Sequence, residues 1–263
     1  MLLVYIAALV VLFLSAFWTV DPFTGQIVHK WGLTNFKTIV ESGTYRDIAL
    51  RTIGIAAAVT VTDAILAFPF AYFAARLASR RMQTVLFVLV LLPLWSSYLV
   101  RVYAWRLILS KDGALNWTTS KLHLGSLDLG YSNKAMWIVF SYIWLPFMIT
   151  PVWAAIERVP DSLLEASGDL GAKRWTTFRR VLLPLAWPGM VAGSIFTFSL
   201  TLGDYITPSL VGGASSDFIG NVVYRNVGVA NNVPFAAAFA TIPVVVMGIY
   251  LVVARRAGAT EAL

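Results

Sequence analysis

Six stretches of about twenty mainly apolar residues recur along this chain and constrain its folding more than any other feature. They are Leu2–Val20, Ile53–Ala75, Val85–Leu109, Ala135–Ile156, Gly189–Val211 and Phe235–Ala254. A helix needs about 20 such residues to cross roughly 30 Å of hydrocarbon. With 59% hydrophobic residues and a mean hydropathy of +0.75, 263 residues carry more apolar surface than a water-soluble fold buries, so the surrounding solvent is lipid. The expectation is an all-α, polytopic membrane protein with six transmembrane helices, forming a single transmembrane domain over residues 1–263. A signal peptide is the alternative for Leu2–Val20. The segment has no basic start and no small-x-small cleavage site before Asp21, which favours a retained helix.

The net charge of +7 raises the question of nucleic acid, but the basic residues lie in short loops between the apolar runs. Anionic lipid headgroups are the better counter-charge, and no nucleic-acid partner is expected. Ten Trp and ten Tyr suit helix ends at headgroup level. Zero cysteines exclude disulfides and thiolate chemistry, and His29 and His123 fall in separate loops, so neither a metal site nor a catalytic residue is expected.

An even number of spans puts both ends on one side, and Lys and Arg choose the side. The loops after the second and fourth spans plus the C-terminal end hold ten of the 20 Lys and Arg, which is no excess. Crowding near helix ends tips the balance. Arg76, Arg80 and Arg81 follow the second span, Arg158, Lys173, Arg174, Arg179 and Arg180 lie between the fourth and fifth, and Arg255 and Arg256 follow the sixth. Both termini are therefore expected to be cytoplasmic.

The long loop 158–188 is patterned like folded structure. Two short helices and a turn are predicted. Pro160 and Asp161 open it, and Ser162 stands three residues before Glu165, the spacing of a capping box. Gly171 permits a turn where a Cβ would clash. Trp175, Phe178 and Val181 then repeat every three residues as an apolar stripe, with Arg174, Arg179 and Arg180 around it, and Pro184 and Pro188 close the unit. On pattern alone, an amphipathic helix lying in the membrane interface explains this segment equally well.

Residues Glu165-Ala166-Ser167-Gly168-Asp169-Leu170-Gly171-Ala172, followed by Val181-Leu182-Leu183-Pro184, shift that balance. They resemble the cytoplasmic loop of permease subunits of binding-protein-dependent ABC importers. That pattern is Glu-Ala-Ala, Gly six positions after the Glu, and an aliphatic residue, Leu and Pro at offsets sixteen, eighteen and nineteen, all met here. Ser167 in place of Ala is the one departure. The resemblance implies the type I ABC importer permease fold and a coupling helix that docks in a groove of a cytoplasmic ATPase, with Glu165, Ala166, Gly171 and Ala172 as coupling residues. It also implies four kinds of partner: a second permease subunit, an ATPase dimer, an extracytoplasmic solute-binding protein and the lipid of the inner membrane. The chain has no G-x-x-x-x-G-K-[ST] segment, so it needs no cofactor of its own and ATP is bound and hydrolysed by the partner.

Two further stretches, Pro93 to Trp105 and Leu202 to Gly213, are similar to the first permease subunit of the spermidine/putrescine branch, which implies inward polyamine transport. Relatives importing other solutes share them. Asp204 beside Tyr205 is the first candidate for meeting a cation, because a carboxylate offsets ammonium charge and an aromatic face adds cation-π attraction. Its alternative role is a packing hydrogen bond to Ser or Thr. Asp63, mid-span, is the second candidate. Trp95, Tyr98 and Trp144 either line a path or pack as interface anchors. Arg101 argues against a cation if it faces the pore, and then an anionic or zwitterionic solute follows. Gly189 and Gly193 invite close helix approach, and Pro69, Pro93, Pro146 and Pro208 invite kinks. An ion-gradient-driven secondary transporter and a membrane scaffold that recruits a cytoplasmic protein are the rival functions. Against the first, six helices are few and no internal repeat is visible.

Overall fold

A computed structural model describes residues 2–123, 125–127 and 129–256. The two chain ends, whose sidedness the charge pattern predicts, lie outside the described residues. The order is α1 (Leu2–Ser15), a ribbon of β1 (Thr19–Val20) and β2 (Ile27–Val28), α2 (Thr34–Glu41), α3 (Gly43–Tyr72), α4 (Arg80–Leu91), α5 (Tyr98–Leu109), α6 (Ala114–Lys121) and α7 (Asn133–Glu157). After it come α8 (Asp161–Asp169), α9 (Arg174–Thr177), α10 (Leu183–Gly203), α11 (Ile206–Val211), α12 (Ile219–Gly228) and α13 (Val233–Arg256). The described chain is mostly helical. Five-residue π turns extend α3 (Phe73–Leu77) and join α9 to α10 (Phe178–Leu182).

Among the described residues, four continuous helices are long and apolar enough to cross a membrane: Gly43–Leu77, Asn133–Glu157, Arg174–Gly203 and Val233–Arg256. A fifth span requires counting a broken pair as one, so the six predicted spans are not all found as spanning helices. The third predicted span, Val85–Leu109, is this pair. It bends by 94° at Ser96-Ser97. Pro93 lacks an N–H, and Ser96 turns both its N–H (3.2 Å) and its hydroxyl (2.7 Å) to the Pro93 carbonyl, which ends one helix before the next begins. The first predicted span stops at Ser15, and 14 residues rise only about 21 Å. Beyond it the chain enters the ribbon, with Thr19 opposite Val28. Asp21 accepts the backbone N–H groups of Phe23 (2.8 Å) and Thr24 (2.9 Å), and Gly25 takes φ +69°. The Thr24 and Phe23 N–H groups hold the Asp21 carboxyl below its ordinary value.

The chain divides into two compact units, Met1–Ile55 with Trp105–Met136 and Leu202–Gly248, and Ala56–Ala104 with Trp137–Thr201 and Ile249–Leu263. The first is cored by Ala16, Ile39, Ile48, Ile219, Val222, Phe235 and Phe239. Asn35 fixes its entrance by donating to the carbonyls of Ala16 (2.9 Å) and Trp18 (2.8 Å). The core of the second is built from α3 (Ala67, Phe68, Ala71), α7 (Met148, Val152, Ile156) and the start of α10 (Ala186). Small residues let these helices touch. A Cβ on Gly189 would lie 2.4 Å from the Ala155 Cβ, and one on Gly193 would lie 2.7 Å from the Met148 Sδ, so both glycines serve the close packing expected of them.

Candidate functional site

The loop 158–188 folds in the second unit as two helices around a turn. The turn is set by backbone chemistry. Gly171 takes φ +76° and donates to the Gly168 carbonyl (2.8 Å), while the Ala172 N–H reaches the Ser167 carbonyl (3.1 Å). These paired bonds form a Schellman end to α8, which requires a left-handed residue at 171. Ala166 contributes its carbonyl to the Leu170 N–H (3.1 Å). The hydroxyl of Ser167, the one departure from the importer pattern, bonds the Thr177 hydroxyl at 2.8 Å and ties α8 to α9.

The predicted capping box is absent. Pro160 occupies the position before α8 and no side chain caps it, because the helix begins one residue earlier than Ser162. Glu165 is exposed on the outer side. Pro184 and Pro188 do not close the loop either, since the chain runs in one helical path from Arg174 to Gly203. The π turn before Pro184 supplies the wider loop that accommodates a residue without an N–H. Trp175 stacks on Phe178 at 5.1 Å, and Phe178 meets Phe68 of α3 edge-on at 5.3 Å. Leu170 and Trp175 present 87% and 68% of their surface, leaving an apolar face that no described part of this unit covers.

The remaining candidates fall in two units, described separately. In the first, Asp204 sits where α10 ends and α11 begins. Its Oδ1 accepts from the N–H of Ile206 (2.7 Å) and Thr207 (3.2 Å), and its Oδ2 from the Thr207 hydroxyl (3.2 Å). The carboxylate therefore caps α11 and holds the helix broken. Tyr205, 38% exposed, stacks on Tyr224 at 4.8 Å and 13°. Asn221 braces the break, donating to the Tyr205 carbonyl (2.9 Å) and the Ser209 hydroxyl (2.7 Å). Neither Asn221 nor Tyr224 stands out in the sequence, because single polar or aromatic residues in a helix carry no spacing signal.

In the second unit, Asp63 is fully buried beside Ser141, whose hydroxyl is a polar neighbour of its carboxyl, although no bond between them has full hydrogen-bond geometry. One turn along α7, Trp144 stacks on Tyr98 at 5.7 Å, its indole N–H also unpartnered. Arg101 lies over the Tyr98 ring at 6.0 Å, with Nε and Nη1 buried and unpaired. Among the described residues it finds no carboxylate, and the residue as a whole is half-buried. Trp95 is 91% exposed at the rim of an apolar cavity of about 180 Å³ formed with Phe87 and Leu92. Among the described residues no cluster of three metal-ligating side chains occurs.

Residues 67–258 match the family of binding-protein-dependent transport system inner membrane components. The chain belongs to this family. It is similar to the inner membrane ABC transporter permease protein YdcU of Escherichia coli K12, 47% identical over 99% of this chain and 87% of that one. The spermidine/putrescine transport system permease protein PotB of the same organism is 35% identical over 81% of this chain and 78% of its own length. Among solved structures, a bacterial ABC transporter involved in the import of the acidic polysaccharide alginate superposes with a TM-score of 0.73 over 97% of this chain and 91% of that one. At 19% identity that likeness speaks for the fold alone. The protein is thus an ABC permease subunit whose ATPase is a separate partner, and the rival readings of a gradient-driven transporter or a scaffold give way to it.

Proposed function

We propose that this permease carries polyamines of the spermidine/putrescine class inward across the inner membrane. It works beside a second permease subunit, an ATPase dimer and an extracytoplasmic solute-binding protein, with both termini and the loop 158–188 on the cytoplasmic side. The observation that carries the solute class is the 35% identity to a spermidine/putrescine permease over 81% of the chain. The exposed Tyr205–Tyr224 pair beside the Asp204 carboxylate fits a polycation, since aromatic faces and a fixed negative charge both attract ammonium groups. Asp63, Trp95 and Tyr98 extend the proposed path in the second unit. Glu165, Ala166, Gly171 and Ala172 form the ATPase-coupling element, and the uncovered Leu170 and Trp175 suit an apolar groove on the ATPase.

A second reading has its own support. Arg101 carries two buried, unpaired N–H groups, which suit an anionic or zwitterionic solute. Labelled spermidine uptake into proteoliposomes holding the whole assembly separates the two. The Asp204→Asn variant keeps an oxygen for the α11 cap and loses the charge, so uptake is expected to fall on the order of tenfold with ATPase association intact. No spermidine uptake by the parent would overturn the polyamine assignment, and competition by a dicarboxylate would then favour the Arg101 reading.

A further inference from the structure

Arg76 enters the sequence only as one of the basic residues flanking the second span, yet the structure gives it three acceptors. It sits in the π turn that ends α3, with its side chain 13% exposed. Nη1 donates to Asp161 Oδ1 at 2.6 Å, and Nη2 donates to the Ile156 carbonyl at 2.6 Å and to the Val159 carbonyl. Ile156 belongs to the last turn of α7, Val159 to the joint that follows, and Asp161 is the first residue of α8. One guanidinium therefore supplies donors to carbonyls that a helix end leaves orphaned, and it places a positive charge at the negative end of α7.

We infer that Arg76 is a positioning residue of the transport cycle, a latch through which a displacement of α8 moves the end of α3. The inference rests on the reading of 158–188 as the coupling loop. Three observations join in it. The arm to Asp161 is exposed at the carboxylate end, 79%, so it contributes little by itself, and the grip lies in the two part-buried carbonyl bonds. Between those carbonyls and α8 stands Pro160 in extended conformation, a stiff connector with fixed φ that passes a push on rather than absorbing it. At the receiving side, the π turn Phe73–Leu77 is the part of α3 whose hydrogen bonding most readily changes pattern, and wide turns of this kind recur at functional positions. The exit of the loop reaches α3 a second time through Phe178 on Phe68, so α3 is held at both ends of the segment.

The chain has no cysteine, which permits a test that needs no knowledge of the solute. An environment-sensitive fluorophore is attached at Leu170→Cys, on the loop, or at Val61→Cys, an exposed position on α3. Each labelled chain is assembled with its permease partner, ATPases and binding protein in proteoliposomes, and ATP with vanadate is added. In the parent both labels are expected to respond. In Arg76→Met the Leu170 label still responds, while the Val61 response shrinks at least about fivefold, the low end of measured couplings between sites. Arg76→Lys restores part of it, because an ammonium reaches some of the same acceptors without the planar fork. A full Val61 response in Arg76→Met overturns the latch. A parent in which Leu170 does not respond overturns the coupling-loop reading itself. If Arg76→Met fails to assemble, Arg76→Lys decides: a Val61 response equal to the parent's overturns the latch, and a diminished one beside a normal Leu170 response supports it.

Discussion

Two polar regions of the second unit, both buried where α3 meets α7, differ in how their hydrogen bonds are spent. At the cytoplasmic end assigned under the proposed function, Arg76 donates to three acceptors and leaves only its Nε without a partner among the described residues. At mid-span, Asp63, Ser141, Trp144 and Arg101 together present six buried polar atoms with no well-formed hydrogen bond among the described residues. A buried donor or acceptor left unmade costs about 1–3 kcal/mol, more for a charged group, so the first region stabilises the helix pair while the second is maintained at a cost. What the contrast teaches is a division of labour. Polar groups that find several acceptors hold elements together, and those without well-formed bonds are available to something that passes or arrives in another state.

Neutralising one member of each region should shift stability in opposite directions, the largest contrast available. Arg76→Met is expected to lower the unfolding free energy in detergent by about 1–3 kcal/mol, because it removes the guanidinium's bonds to the Ile156 and Val159 carbonyls and leaves Ile156 only the Val159 N–H. Asp63→Val is expected to raise it by about 1 kcal/mol, since it replaces a buried carboxyl whose oxygens lack well-formed hydrogen bonds with an apolar side chain, and to reduce solute uptake. Thermal unfolding of purified protein reads both, and equal signs would erase the contrast. Ser167→Ala restores the small residue of the importer pattern but removes the bond to Thr177. About 1 kcal/mol of local protection in α8 should go with it, visible by hydrogen exchange. Trp144→Phe keeps the stack on Tyr98 and deletes only the unpartnered N–H, so its stability should stay within about 0.5 kcal/mol of the parent or rise. The smallest effect lies outside both regions. The Asp21 carboxyl is held low by the Thr24 and Phe23 N–H groups, so its support of the ribbon is present above the ordinary value of 3.8 and fades as pH falls through the lowered folded value. Amide exchange around Gly25 should quicken over that acid range, and not in Asp21→Ala.

The features legible in the sequence were those written in local chemistry. Gly171 demanded a turn and took one in the left-handed region, Gly189 and Gly193 asked for close packing and found Ala155 and Met148, and the long apolar runs located α3, α7 and α13. What escaped was set by distant partners. The acceptors of Arg76 are backbone carbonyls 80 and 83 residues away, and every residue type carries a carbonyl, so no spacing announces them. Hydropathy counts residues without direction, so Val85–Leu109 reads as one span; Pro93 marks a kink, and the Ser96 bonds to its carbonyl make that kink a break. The Ser162–Glu165 spacing was a true match to a capping pattern, but Pro160 and Asp161 shifted the start of α8 and left it unused.

The π turn Phe178–Leu182 sets a rule for building chimaeras. A turn that takes an extra residue for the same rise rotates everything beyond it by about 100° relative to an uninterrupted α-helix. A loop transplanted from a permease without that residue, joined at Pro184, would present Gly189 and Gly193 to lipid and carry bulkier side chains against Pro151. Exchanges of the loop between permeases are therefore compatible only when the donor segment brings its own wide turn, or when the junction lies upstream of Phe178 and leaves the recipient's in place.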